Sequence, residues 1–189
     1  MLYAQVHLTL PSWIHDFDDP QRRYPDDASR VGLAVELAKR NVEDAAGGPF
    51  GAALFDVSGR VLGLGVNRVV PQTCSVAHAE MMAFMTAQQR FQQFRLNDPA
   101  SGLAGPITLA TSAQPCCMCY GASFWAGIDR LLIAARAEDV MELTEFDEGP
   151  LPADWVGELE RRGIAVIRDV LRQPAREVLR AYAERGPSY

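Results

Sequence analysis

Between residues 27 and 46 apolar side chains return at helical spacing. Val31, Val35, Ala38 and Val42 form one stripe, and Leu33, Ala34 and Leu37 widen it. Asp27 or Ser29 is available to cap the start, and Gly47, Gly48 and Pro49 close the segment. The period then shortens. GAALF (residues 51–55), the turn residues DVSG and the run RVLGLGV predict a hairpin. A second helix is predicted over residues 77–94, with Met81, Met82, Phe84, Met85 and Phe91 on its apolar face. A Met-rich face of this kind packs a core. After the loop RLNDPASGLAGP, ITLATS predicts a short strand, residues 116–126 a third helix, and DRLLIAA a strand buried on both faces. IAVIRDV predicts a weaker strand and PAREVLRAYAERG a last helix. Residues 1–26, rich in Pro and Asp, predict an irregular arm with one short strand at residues 5–10. Helices alternating with strands give an α/β fold whose sheet is covered on both faces.

A length of 189 residues is that of a single domain able to bury its own core. We divide it into the arm (1–26), a catalytic core (27–150) and a C-terminal segment (151–189). The chain is 48% hydrophobic and 22% charged, and no apolar run approaches the ~20 residues that cross a bilayer. The N-terminus has neither the basic start nor the unbroken apolar block of a targeting peptide. A soluble, cytoplasmic protein without membrane partners is therefore expected. The net charge of −6 gives no long-range attraction to nucleic acid, though Arg161, Arg162, Arg168 and Arg172 offer material for a local basic patch. The charge balance favours a small substrate.

Three of the four cysteines crowd into PCCMC, which in a reducing compartment points to metal or thiol chemistry rather than disulfides. Cys116 and Cys119, at i and i+3 on a helix start, point their sulfurs the same way, while Cys117 points elsewhere. The positive end of the helix favours thiolates there. Two thiolates are too few for zinc. His78, in AHAE at the start of the second helix, can supply a third ligand, leaving a fourth position for water as in a catalytic site. Glu80, two residues on, is placed to accept that water's proton. Either motif alone is weak; H-x-E and P-C-x-x-C together are the pattern of zinc deaminases.

On these residues the chain resembles the cytidine-deaminase-like superfamily, and within it the bacterial guanine deaminases. GGPFGAALF, Asn67 in GVNRV, AHAE, PCCMCYGASFWA, the strand ending IAA, and FDE carry the resemblance over roughly residues 30–150. It implies a three-layer α/β/α sandwich with a mixed central sheet. It implies one zinc ion per chain on His78, Cys116 and Cys119, with Glu80 as proton shuttle. Asn67 and Ala79 would meet the base, and Phe50 and Trp125 would wall the pocket. Glu148 in FDE would be a second proton carrier, with Glu145 and Asp147 as alternatives. A homodimer with exchanged C-terminal segments would bring Tyr189 over the pocket. One departure lies beside a ligand: Ala113-Gln114 stands where much of the family has Cys-Glu.

The implied activity is hydrolysis of guanine to xanthine and ammonia. The rivals are a tRNA adenosine deaminase, a deaminase of cytosine or ammeline, and, from another class, a non-catalytic scaffold tied by zinc. A nucleic-acid substrate would need a basic rim that the composition does not advertise.

Overall fold

The structure is a computed structural model and describes residues 2, 4–17 and 19–186. Five strands run β1 (Gly51–Phe55), β2 (Val61–Val66), β3 (Thr108–Ala113), β4 (Arg130–Ala135) and β5 (Ala165–Ile167), in the spatial order β2-β1-β3-β4-β5. β1 is antiparallel to β2 and β3, whereas β3, β4 and β5 are parallel. The sheet is therefore mixed. One face carries α1 (Asp27–Glu43), α4 (Ala137–Leu143) and α6 (Arg172–Glu184), and the other α2 (Ala79–Phe91), α3 (Cys117–Ala126) and α5 (Trp155–Glu160). This is the expected three-layer α/β/α sandwich.

Strand alternation divides the interior into two cores. Ala53 and Phe55 of β1 and Leu132 and Ala134 of β4 pack under α1 and α6, while Ala52, Leu54, Leu131 and Ile133 face α2. Strands covered on both sides need apolar residues throughout, as GAALF and RLLIAA provide. The hairpin turn is held by Asp56, whose Oδ1 accepts from the Ser58 and Arg60 backbone N–H groups at 2.9 and 3.1 Å. On β2, small residues set the depth of α2. A side chain at Gly63 would come within 2.6 Å of the Ala83 carbonyl, and one at Gly65 would sit on the Ala79 carbonyl oxygen. The first turn of α2 is thereby pressed against the end of the sheet.

Several expectations need correcting. No strand forms at residues 5–10: Thr9 donates its N–H to the Gln72 side chain and accepts from Arg68 Nε at its carbonyl instead of pairing with a strand. The arm continues as a 3-10 helix, Ser12–Phe17, which buries Ile14 and places Trp13 under the Arg40 guanidinium. The cap of α1 is Asp26, one residue earlier than expected, and Ser29 completes a reciprocal capping box with it. Helices α4 and α5 were not foreseen, because six or seven residues are too few for a periodic pattern. The arginines of the candidate basic patch are largely engaged. Arg161 and Arg162 pair with Glu158, Arg172 with Asp139, and Arg168 stacks over Trp155.

Asp139, only 1% exposed, ties α4 to α6. Its carboxylate receives Arg172 Nε and Nη2 at 2.7 Å each, Arg176 Nη1, and the Arg136 backbone N–H at 2.8 Å. The Arg172 guanidinium above all holds this carboxyl well below the usual range. With the folded value below the unfolded one, the stabilisation is present above about pH 4 and is lost as pH falls further. Asp139→Asn should cost on the order of 1 kcal/mol at pH 7, because it removes the charged acceptor shared by two partly exposed arginines and a backbone N–H. In urea unfolding the gap between wild type and variant should narrow at pH 3; equal stability at pH 7 would contradict the anchoring role.

Candidate active site

The two motifs meet because two helices begin at the same end of the sheet. His78 is the N-cap of α2 and Cys116 the N-cap of α3, both with extended backbones, and neither side chain caps its own helix. Each is left free to face the other. His78 Nδ1 lies 3.5 Å from Cys116 Sγ and 3.8 Å from Cys119 Sγ, and all three donors fall within 4.8 Å of one another. A tetrahedral zinc, with bonds of roughly 2.0–2.3 Å, holds its ligands roughly 3.5 Å apart, so the donor set fits the ion. Cys117, between the two ligands, makes no part of the cluster.

The protons of this cluster are already redistributed. A hydrogen bond from Cys119 draws the Cys116 thiol down to about 4, helped by His78 and by the Cys119 backbone N–H. The same bond pushes Cys119 far above an ordinary thiol, and the contact with Cys116 raises His78. A cation would replace the shared protons.

Beside the cluster lies a cavity of ≈ 200 Å³. Phe50, Ala79 and Phe146 form apolar walls, and Asn67, Glu80, Gln114, Asp147 and Glu148 bring polar groups to it. Asn67, 2% exposed, is fixed through its Oδ1, which accepts the Gly48 and Val69 N–H groups at 3.3 and 3.2 Å. Buried Asn41 clamps the same turn by donating to the Gly48 and Asn67 carbonyls. Asn67 Nδ2 makes no hydrogen bond among the described residues and remains a donor toward the cavity.

Glu80 and Glu148 share this space. Burial pushes the Glu80 carboxyl up to about 7, and the charge of Cys116 adds to it. Burial also pushes Glu148 up to about 8, with Glu80 and Cys116 contributing. Two acids with values near neutrality in one cavity are what proton transfer in both directions requires. The loop carrying Glu148 is pinned to α3: the Cys117 N–H donates to the Glu148 carbonyl at 2.8 Å. Gly149 follows with φ +66°, and a side chain there would strike the Cys117 sulfur.

The expected residues are thus mostly gathered. His78, Cys116, Cys119, Glu80, Asn67, Ala79, Phe50 and Glu148 converge; of the alternatives to Glu148, Asp147 lines the cavity and spends Oδ1 on the Gly149 N–H, while Glu145 lies outside it. Trp125 does not converge. It is 73% exposed, because it lies nine residues past Cys116, roughly 13 Å along the axis of α3. Phe146 is the second aromatic wall instead, its ring 5.6 Å from that of Phe50. Tyr189 lies outside the described residues. Phe146 and Gln114 were not singled out as pocket residues, although both sit next to residues that were.

Residues 26–135 match the cytidine and deoxycytidylate deaminase zinc-binding region. The chain belongs to that family. It is a zinc-dependent hydrolytic deaminase, and the fold and donor set agree. Guanine deaminase of Bacillus subtilis (strain 168) is 35% identical over 115 residues, 61% of this chain and 67% of that one. The structure of guanine deaminase from Nitrosomonas europaea superposes with a TM-score of 0.89 at 39% identity, covering 97% of this chain and 99% of that one. A structure of NE0047 in complex with 2,6-diaminopurine superposes equally well, TM-score 0.89 at 40% identity, over 97% and 95% of the two chains.

Metal removal tests the donor assignment in this deaminase. Cys119→Ala should bind less than about a tenth of the wild-type zinc after dialysis, and its melting temperature should no longer rise on adding zinc. Full zinc content in that variant would mean that another donor holds the ion.

Proposed function

We propose that this deaminase converts free guanine and water to xanthine and ammonia. The observation that carries the reading is geometric: two carboxylates, Glu80 and Glu148, line one base-sized cavity beside the metal donors. When bound, zinc supplies a Lewis acid that makes the attacking water more acidic. Glu80 takes a proton from that water as its oxygen bonds to C2, and returns the proton to N3 of the base. Loss of the amine then needs one more proton on nitrogen. Glu148 carries it from the new C2 hydroxyl to the amino group, the C2–N bond breaks, and the carbonyl of xanthine and ammonia result. The similarity to two guanine deaminases, and to a structure holding a diaminopurine, supports a purine carrying a 2-amino group.

An adenosine within a tRNA loop fits less well, because the arginines of the candidate patch are spent on carboxylates and on Trp155. Four unpaired thiols suit a reducing cytoplasm, and among the described residues no helix is long and apolar enough to cross a membrane.

Homodimer formation is part of the same reading. α3 carries no charged residue; it fully buries Cys119, Ser123 and Ala126 and packs Tyr120, Ala122 and Phe124 partly against its own core. Its outer side exposes Trp125, 73% open to solvent, beside the half-buried Phe124, an apolar surface that a second copy would cover.

Ammonia release from a panel of guanine, adenine, cytosine, their nucleosides, ammeline and tRNA tests the substrate. Guanine should be fastest, and release from tRNA but not from guanine would overturn the reading. Glu80→Gln should keep zinc and lose at least ~10²-fold in kcat; turnover near wild type would remove Glu80 from the mechanism. Sedimentation at micromolar concentration should show a dimer for wild type and a monomer for Trp125→Glu. A monomeric wild type would rule out the assembly.

A further inference from the structure

The base cavity contains a second side-chain amide whose hydrogen-bonding groups are both free. Gln114 follows the last residue of β3, and its backbone N–H extends the parallel ladder by donating to the Ala135 carbonyl at 2.9 Å. The main chain is therefore fixed. Its side chain lines the cavity, is 6% exposed, and makes no hydrogen bond among the described residues. An amide lining a cavity without a protein partner is available to pair with whatever enters that cavity.

Two other polar groups at the cavity, Asn67 and Glu80, are already committed to single roles. Asn67 has only a donor to offer, since its oxygen is engaged by Gly48 and Val69. Glu80 must serve the ring nitrogen that receives the proton. In guanine N1 already bears hydrogen, so that nitrogen is N3, and the proposed proton transfer sets the base with its N3 side toward Glu80. The opposite side of the ring presents a lactam, the O6 acceptor next to the N1–H donor. An intact carboxamide is the complement of a lactam: its NH₂ donates to O6 and its oxygen accepts from N1–H.

We infer that Gln114 is a specificity-determining residue that pairs with the lactam edge of the base, selecting 6-oxopurines over purines lacking that edge. This rests on the guanine reading above. A carboxylate at this position would supply acceptors alone when ionised, so the amide specifically suits a donor and an acceptor side by side.

The test separates the inference from the reading beneath it by measuring binding as well as turnover. Hypoxanthine has the lactam but no amino group to lose; purine has neither. In calorimetric titrations of the zinc-loaded protein, Gln114→Ala should weaken hypoxanthine by at least about tenfold and leave purine within about twofold. Gln114→Met, which keeps the volume and removes the amide, should behave alike and serves if the alanine variant folds poorly. In turnover, kcat/KM should fall for guanine and hold for 2-aminopurine, which carries the reacting amine without the lactam. Equal losses for both members of either pair, or no loss for hypoxanthine, would overturn the inference. A wild type that releases no ammonia from guanine but binds hypoxanthine through Gln114 would sink the guanine reading and leave the role of Gln114 standing.

Discussion

Everything chemical in this molecule depends on two helix starts being held against each other at one end of the sheet. α2 can approach because β2 offers glycines where its carbonyls fall, and α3 follows β3 after only Gln114, Pro115 and the cap residue. Neither His78 nor Cys116 caps its own helix, so the side chains that would ordinarily bond to backbone are released to meet across the gap. The positive ends of both helices then favour the thiolates gathered there.

The same crowding produces the acids. A carboxylate in water has no reason to titrate near neutrality; burial raises Glu80 and Glu148, the Cys116 charge adds to both, and Glu80 adds to Glu148. This is a destabilising arrangement, kept within a protein that pairs its other buried carboxylates, Asp56 and Asp139, with arginines and backbone N–H groups. Asp139, on the opposite face, has the reverse electrostatics. Arginines and a backbone N–H surround it, its proton is lost easily, and its task is to fasten α6. The contrast between carboxylates dominated by burial and one dominated by arginines separates the reactive part of the fold from its structural part.

Positioning extends beyond the residues that touch substrate. Asn41 holds the turn that orients Asn67, and the first turn of α3 holds the loop that presents Glu148. Phe146 links the cavity wall to the C-terminal helix: its ring lies 5.6 Å from Phe50 and 5.8 Å from Tyr182. Motion of α6 would therefore be felt at the base.

The primary structure by itself determined the long elements and the donor set. α1, α2 and α3 were legible because ten or more residues sample several helical turns, and β1 and β4 because strands buried on both faces must be apolar throughout. His78, Glu80, Cys116 and Cys119 were legible because metal chemistry admits few residue types at few spacings. What only the tertiary structure decided is where side chains without such constraints end up. Trp125 and Phe146 are both aromatic and both near motif residues, yet one points to solvent and the other walls the cavity. The arginines that look like a patch in the chain find carboxylates in space. Gln114 stands out in a linear reading only as a departure beside a ligand, and that its amide lines the cavity shows only in the folded chain. Helical period and ligand spacing are local properties of the chain, whereas burial and pairing depend on what other segments bring to the same place.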